Sequence, residues 1–284
     1  MIALCKRNLK IYFSNSATVF FSLLGALIVF GLYFLFLRKN MVTQFASLTD
    51  GPRIADYWVL GGILATTSLT TSFTALSQLV KDKAENKLMD FLITDTNASQ
   101  LMMGYFLSGL IISCCMQLTV FIFCLGYFYF QANSPISLLS CLQTLGLIVL
   151  SGLNATAFNL IVCLFIKTES TLRTIGNILG AIAGFMCTAY LPIGSFSGAT
   201  QTMIKILPIS YVSSSFRRLF ISSSIHWLPH EKTQELKAYL GIGYLFKGQL
   251  TTATMDISVL LITTIFCLLA IALCNKKIAQ VTMS

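Results

Sequence analysis

The sequence predicts an all-α polytopic membrane protein with six transmembrane helices, and three observations lead there. Of its 284 residues 56% are hydrophobic and only 10% are charged, with a mean hydropathy of +0.80, so too few polar side chains remain to cover a soluble core of that size. The apolar residues fall in runs near the length needed to cross a ~30 Å hydrocarbon layer. The cations, in net excess by nine, are scattered between those runs. That placement suits orientation in a bilayer and gives nucleic acid no continuous basic surface.

Residues 1–16 set Ile2, Cys5, Leu9 and Tyr12 on one helical face and Lys6, Arg7 and Lys10 on another, the pattern of a basic helix lying in the membrane interface and touching lipid. The first span is expected at 17–37, too long for a signal-peptide core and followed by Arg38-Lys39 without a cleavage site. The second, at 57–80, carries eight hydroxyl residues between Thr66 and Ser77, while Leu69, Phe73, Leu76 and Val80 keep one face apolar. Two readings stand open for those hydroxyls: a polar face lining a pathway, or side chains bonded to their own backbone or a neighbouring helix.

Seven of the twenty residues from Lys81 to Gln100 are charged, in a chain where charge is scarce. Lys83, Lys87, Asp90 and Thr94 are spaced four, three and four apart opposite Ala84, Leu88, Phe91 and Leu92, which predicts a short amphipathic surface helix within 81–99. Asn97 with Gln100 resembles a capping box for the next helix.

The third and fourth spans are expected at 101–130 and 138–166, joined by the neutral turn Gln131–Ser137. The fifth, 173–191, is stopped by Pro192 and Gly194 and carries Gly176, Gly180 and Gly184 at the four-residue spacing that lets membrane helices approach closely. That ridge fits packing within the chain or contact with another subunit. Residues 192–254 alternate apolar pieces too short to span with Pro208, Arg217-Arg218 and a polar stretch, and read as re-entrant or interfacial helices with a small external loop. Here His226, His230, Glu231 and Glu235 read as a solvated loop, because Pro229 interrupts any helix that would align them on a metal. The sixth span is expected at 256–274.

Short-segment charge places both termini inside. Lys6, Arg7, Lys10, Lys81, Lys83, Lys87, Lys167, Arg173, Lys276 and Lys277 are then cytoplasmic, against Arg38, Lys39 and Arg53 outside. Arg38-Lys39 fits this orientation poorly. The nine cysteines lie in or beside apolar segments without a Cys-x-x-Cys, and read as buried hydrophobes with neither disulfide nor metal indicated. There is no Gly-x-x-x-x-Gly-Lys-Ser/Thr and no Gly-x-Gly-x-x-Gly, so the chain carries no phosphate cradle and binds no nucleotide cofactor of its own. No ionisable residue is stranded in mid-span, which argues against a proton-coupled carrier, and neither histidine lies in a span, which weakens any enzyme reading.

This layout resembles the ABC-2 type permease family, the membrane subunit of bacterial-type ABC exporters. The match rests on the basic amphipathic start, the segment KDKAENKLMDFLITDTNASQLMMGY at 81–105, and LPISYVSSSFRRLF at 207–220. The resemblance implies that 81–99 contains a coupling helix seated on a separate ATP-hydrolysing subunit through Lys83, Glu85, Lys87, Leu88, Asp90 and Phe91, with ATP and magnesium bound by that partner. It implies a second permease subunit, identical or homologous, with the second and fifth spans lining a central cavity. On that basis Thr66, Thr70, Phe73, Thr74 and Ser77 are expected to line the pathway, and Gly176, Gly180 and Gly184 to form the dimer contact. Pro208, Tyr211 and Arg217 match an outer re-entrant segment.

The expected function is export across the cell membrane of an amphipathic or hydrophobic cargo, such as a lipid-like molecule, a modified peptide or a drug, through a cavity without fixed charges. An ATP-independent channel or secondary carrier is the alternative.

Overall fold

The computed structural model describes residues 1–45, 48, 50–93, 97–132, 138–225, 229–246 and 248–281. Expectations for Thr94 to Thr96, for most of the turn closing at Ser137 and for His226 lie outside them. The described chain is almost wholly helical, and five of its helices are long and apolar enough to cross a membrane.

Helix α1 (Ile2–Ser14) buries Leu4, Cys5, Asn8 and Tyr12. Its buried stripe is displaced from the expected one: Ile2 is exposed, and Asn8 turns inward to donate to Ser108 Oγ at 3.2 Å. Asn15 caps the next helix by accepting from the Thr18 amide. That helix continues without a break through α2 (Ser16–Leu32), a π-helical turn at Tyr33–Leu37 and α3 (Arg38–Gln44). The π turn has a visible role. It sets Tyr33 and Arg38 on one carboxylate, with Tyr33 Oη donating to Asp56 Oδ1 at 2.5 Å and Arg38 Nε to the same oxygen at 3.0 Å. The cation that fitted the charge count poorly is therefore paired with a buried carboxylate.

Helix α4 (Gly51–Ala84) is the axis of the molecule; α2, α6 (Ala98–Ala132), α7 (Leu138–Phe165), α8 (Glu169–Met186) and α10 (Pro208–Ile225) all pack on it. Apolar burial gives no preference among helices inside lipid, so polar bonds and close fit hold them. Asn159 donates to Leu69 O at 2.8 Å and to Ser72 Oγ at 2.7 Å, tying α7 to α4. Gln117 bridges Ser113 and Ser151 between α6 and α7. Asn154 reaches Thr263 Oγ1 at 2.9 Å and Thr264 Oγ1 at 3.1 Å on α12 (Ala253–Val281). Exposed Phe20, Ile122, Phe123, Ile262 and Phe266 form the outward apolar surface that a bilayer covers.

Three elements differ from the sequence reading. The expected fifth span is the shorter α8, capped at its start by the Thr168 side chain and ended at Cys187 with Thr188 at φ +49°, before Pro192 is reached. Glu169, Arg173 and Asn177 keep it out of the five strongly apolar helices. The segment after it, read as re-entrant or interfacial helices with a small external loop, packs into the body of the bundle. Following α9 (Gly198–Ile206), helix α10 enters the bundle and packs on α4, α7 and α12, with α11 (His230–Leu240) and a two-residue hairpin of β1 (Leu245–Phe246) and β2 (Gln249–Leu250) lying over its end. Third, the expected surface helix is split. Its first residue, Lys83, belongs to α4, the chain breaks at Glu85-Asn86 where Asn86 has φ +58°, and only Lys87–Ile93 forms α5. Asparagine tolerates that left-handed conformation better than most residues.

Candidate functional site

A cavity of about 980 Å3 opens between α2, α4 and α8. From α4 it is lined by Thr70, Phe73, Thr74 and Ser77, and from α8 by Gly176, Asn177 and Gly180. Two residue sets that sequence reading assigned to different roles thus share one wall. Thr66 does not reach it and is fully buried.

Each of the hydroxyls from Thr66 to Ser77 bonds backbone of its own helix, such as Thr66 to Gly62 O, Thr71 to Thr67 O, Thr74 to Thr70 O and Ser77 to Thr74 O. Thr70 also donates to Ser22 O of α2 at 3.0 Å. The two readings of this helix divide by face: Thr67, Ser68, Thr71 and Ser72 are packing groups with no exposure, while Thr74 and Ser77 are partly open on the cavity side. Because their protons already have acceptors, the open hydroxyls offer mainly lone pairs to whatever enters.

The glycine ridge divides as well. A Cβ on Gly180 meets nothing within 4 Å, one on Gly176 would press on the Phe73 ring at 3.1 Å, and one on Gly184 would fall 2.3 Å from the Tyr190 ring. Gly184 therefore serves packing within the chain, where Tyr190 folds back over α8. The cavity also has charges the sequence reading did not give it: Lys81, Glu169 and Arg173 stand at one end. Sequence reading counts Lys81 and Arg173 as cytoplasmic cations that set the orientation, and none of the three as lining a cavity.

At that same end Asp82 is fully buried and held by three side chains. Arg7 of α1 reaches it with two bonds of 2.7 and 2.8 Å, Tyr105 Oη donates at 2.5 Å and Gln78 Nε2 at 2.8 Å. The bond to Asp82 raises the pKa of Arg7 further. Arg7 also lies over the Phe91 ring, 5.4 Å from its centroid. Leu88 and Phe91 pack on the cluster of Leu79, Val80, Leu101 and Tyr105, so the apolar side of α5 is turned to the body of the protein. Glu85, Lys87 and Asp90 are exposed, and Glu85 pairs with Lys87, which pushes the lysine pKa up. Lys83 donates to Leu164 O at 3.2 Å.

At the opposite end Arg217 is fully buried without a carboxylate. Its guanidinium donates to Trp58 O, Cys187 O, Thr188 O, Leu240 O and Thr188 Oγ1, and lies 4.7 Å from the Trp58 ring centroid. Cys187 and Leu240 close the C-terminal ends of α8 and α11, where free carbonyls gather partial negative charge that a cation neutralises. Gly61 and Gly62 make room for it, since a Cβ at either would lie 2.8 Å from Arg217 Cγ or 2.6 Å from Ala189 Cβ. Beside it Arg218 donates to Asp256 Oδ2 at 2.9 Å, and Ser214 to the same oxygen at 2.8 Å. Pro208 opens α10 at a position that needs no amide donor. Tyr211 bonds Lys205 O at 2.8 Å and packs edge-on to Tyr244.

A family model described as ABC-2 type transporter matches residues 1–221. No curated protein matches the chain.

Proposed function

The chain belongs to the ABC-2 type transporter family, as a membrane permease, and from that premise we propose that it exports an amphipathic or hydrophobic cargo using ATP hydrolysed by a partner subunit. The observation that carries this reading is the cavity between α2, α4 and α8, with apolar walls and a strip of hydroxyls along α4. Two permease subunits, identical or homologous, would enclose it, with Gly180 on the open side of α8. The orientation inferred from charge sets the Arg7 end in the cytoplasm of a cell-membrane transporter and the Arg217 end outside. The α8 helix then completes six spans, and α9 to α11 form the outer cap.

Glu85, Lys87 and Asp90 are charged groups of the 85–93 segment exposed to meet the ATPase. Leu88 and Phe91 act from behind, transmitting its movement to α1 and α4 through Arg7. The test is reconstitution of the copurified permease and ATPase in proteoliposomes with a fluorescent amphipath. Outward movement that requires hydrolysable ATP is the expected result. Movement that persists with an ATPase subunit unable to hydrolyse would instead make the chain a channel or secondary carrier.

A further inference from the structure

The polarity of the cavity is graded along its length. On α2 its lining runs from Ala17 to Ile28, about 16 Å at ~1.5 Å per residue. Thr70 bonds Ser22, Thr66 lies near Gly25 and Asp56 meets Tyr33, so α4 runs antiparallel to α2 and Lys81 sits beyond the start of that wall. Leu24, Ile28 and Leu179 line the cavity away from the charges, with Phe21, Phe73 and Leu172 between. Charged side chains line it at one end only.

Those charges are poorly committed to the protein. Lys81 makes no ion pair among the described residues. Arg173 pairs only with Glu169, one turn earlier on the same helix, at 3.4 Å with 79% of its side chain exposed. An exposed pair of that kind contributes little and exchanges readily for a better-placed anion. The contrast with Arg7, Arg38 and Arg218 is direct, since each of those meets a carboxylate that is almost wholly buried. Two cations against one carboxylate, at the end of an apolar slot, select one molecular shape.

We propose that this end of the cavity binds the anionic headgroup of an amphipathic molecule, with Lys81 and Arg173 as its ligands and the apolar portion lying along α2 and α8. The inference deepens the export reading by naming its cargo class and rests on that reading for the direction of transport, but the binding site itself does not depend on an ATPase. Glu169 sets the selectivity: it excludes weakly held anions by occupying Arg173, and yields to one that also engages Lys81.

The experiment is equilibrium binding to the purified permease alone, in nanodiscs of zwitterionic lipid, using single-chain fluorescent probes that share one tail and differ in headgroup: sulfate, carboxylate or trimethylammonium. The sulfate and carboxylate probes are expected to bind roughly tenfold more tightly than the trimethylammonium probe, a difference of about 1.4 kcal/mol. Lys81→Gln combined with Arg173→Gln should bring the three within about twofold. Glu169→Gln should widen the gap, and Arg173→Lys alone, which keeps the cation, should preserve most of it. Competition by anionic phospholipid added to the disc would assign the site to a bilayer lipid, and its absence to a soluble amphipath; both keep the anionic headgroup. Equal binding of all three probes to the unaltered protein overturns the proposal, as does a preference that survives the double substitution. Because the ATPase is absent, failure of ATP-driven export in proteoliposomes would leave the binding result standing, and the reverse also holds.

Discussion

At one end of the bundle Arg7 meets a single carboxylate, Asp82, through two parallel bonds, and 30% of the arginine side chain still reaches the surface. At the other end Arg217 is fully buried and meets no carboxylate among the described residues; four carbonyls, a hydroxyl and the face of Trp58 share its guanidinium. The difference is mechanical. A bidentate pair whose arginine still reaches water opens by hydrating the cation, while Tyr105 and Gln78 stay on the carboxylate. A guanidinium that draws together the ends of α8 and α11 and the first turns of α4 cannot let go of one without leaving a charge or several carbonyls dry. The Arg217 end is therefore the fixed frame, and the Arg7 end, carrying the short α5 and the charged mouth of the cavity, is the part able to move.

Removing each arginine is the most direct way to break this comparison. Arg217→Ala should give the largest loss of any substitution considered, roughly 4 kcal/mol, because the carbonyls of Cys187, Thr188 and Leu240 are left buried and a void opens beside Gly61. The measurement is thermal unfolding in detergent, followed by retention of a single peak on size exclusion. Arg217→Lys should recover only part of it, since an ammonium cannot fork to so many acceptors. Arg7→Ala should cost less, roughly 2 kcal/mol, because Tyr105 and Gln78 still serve Asp82. If the two arginines prove equal in unfolding temperature, the distinction between a fixed and a movable end is wrong.

The glycines of α8 sharpen the comparison at smaller scale. Gly184→Ala should destabilise by about 1–2 kcal/mol, since its new methyl must displace the Tyr190 ring. Gly180→Ala, with open space before it, should leave the unfolding temperature unchanged. A ridge acting as one unit would show equal effects at both positions.

How much of this was legible in the sequence depended on the range of the interaction. Helices and their order follow from runs of apolar residues, so five of the spans could be drawn from composition, and even the hydroxyl face of α4 stood out. The Arg7–Asp82 and Arg38–Asp56 pairs join residues on different helices, which no local pattern reveals; charge counting saw Arg38 only as an exception to orientation. Asn86 offered a faint signal, an asparagine inside an apparently regular amphipathic period. The partners of α10 were not legible either, although its segment was read as re-entrant or interfacial helices. Ser214 and Arg217 are buried because partners on other segments satisfy them, whereas Ser210 and Ser213 bond carbonyls three residues back in their own chain.

Charge reversal on α5 tests the movable end without touching its packing. Lys87→Glu with Asp90→Lys alters two exposed side chains, so stability should change by less than about 0.5 kcal/mol. Copurification of the ATPase subunit should nevertheless fall severalfold. Undiminished recovery of the ATPase would move the contact elsewhere on that face.

The smallest effect on the protein, and the finest reading of the comparison, comes from cysteine placed along α4. Thr66, Thr70, Thr74 and Ser77 were expected to form one wetted face, but their exposure rises from none at Thr66, through 8% at Thr70, to partly open at Thr74 and Ser77. Each substitution removes a hydroxyl bonded to its own backbone, which the helix replaces at little cost. In a background lacking the native cysteines, a small water-soluble thiol reagent should label Ser77→Cys and Thr74→Cys readily, Thr70→Cys slowly and Thr66→Cys not at all. Cysteines at Leu69 and Leu76, both buried against neighbouring helices, should stay unlabelled. The gradient runs from the frame toward the mouth, so an occupant held by Lys81 and Arg173 should protect Ser77→Cys and Thr74→Cys before Thr70→Cys. Uniform labelling from Thr66 to Ser77 would mean that water reaches the Arg217 end as freely as the Arg7 end, and that the frame opens in the resting protein.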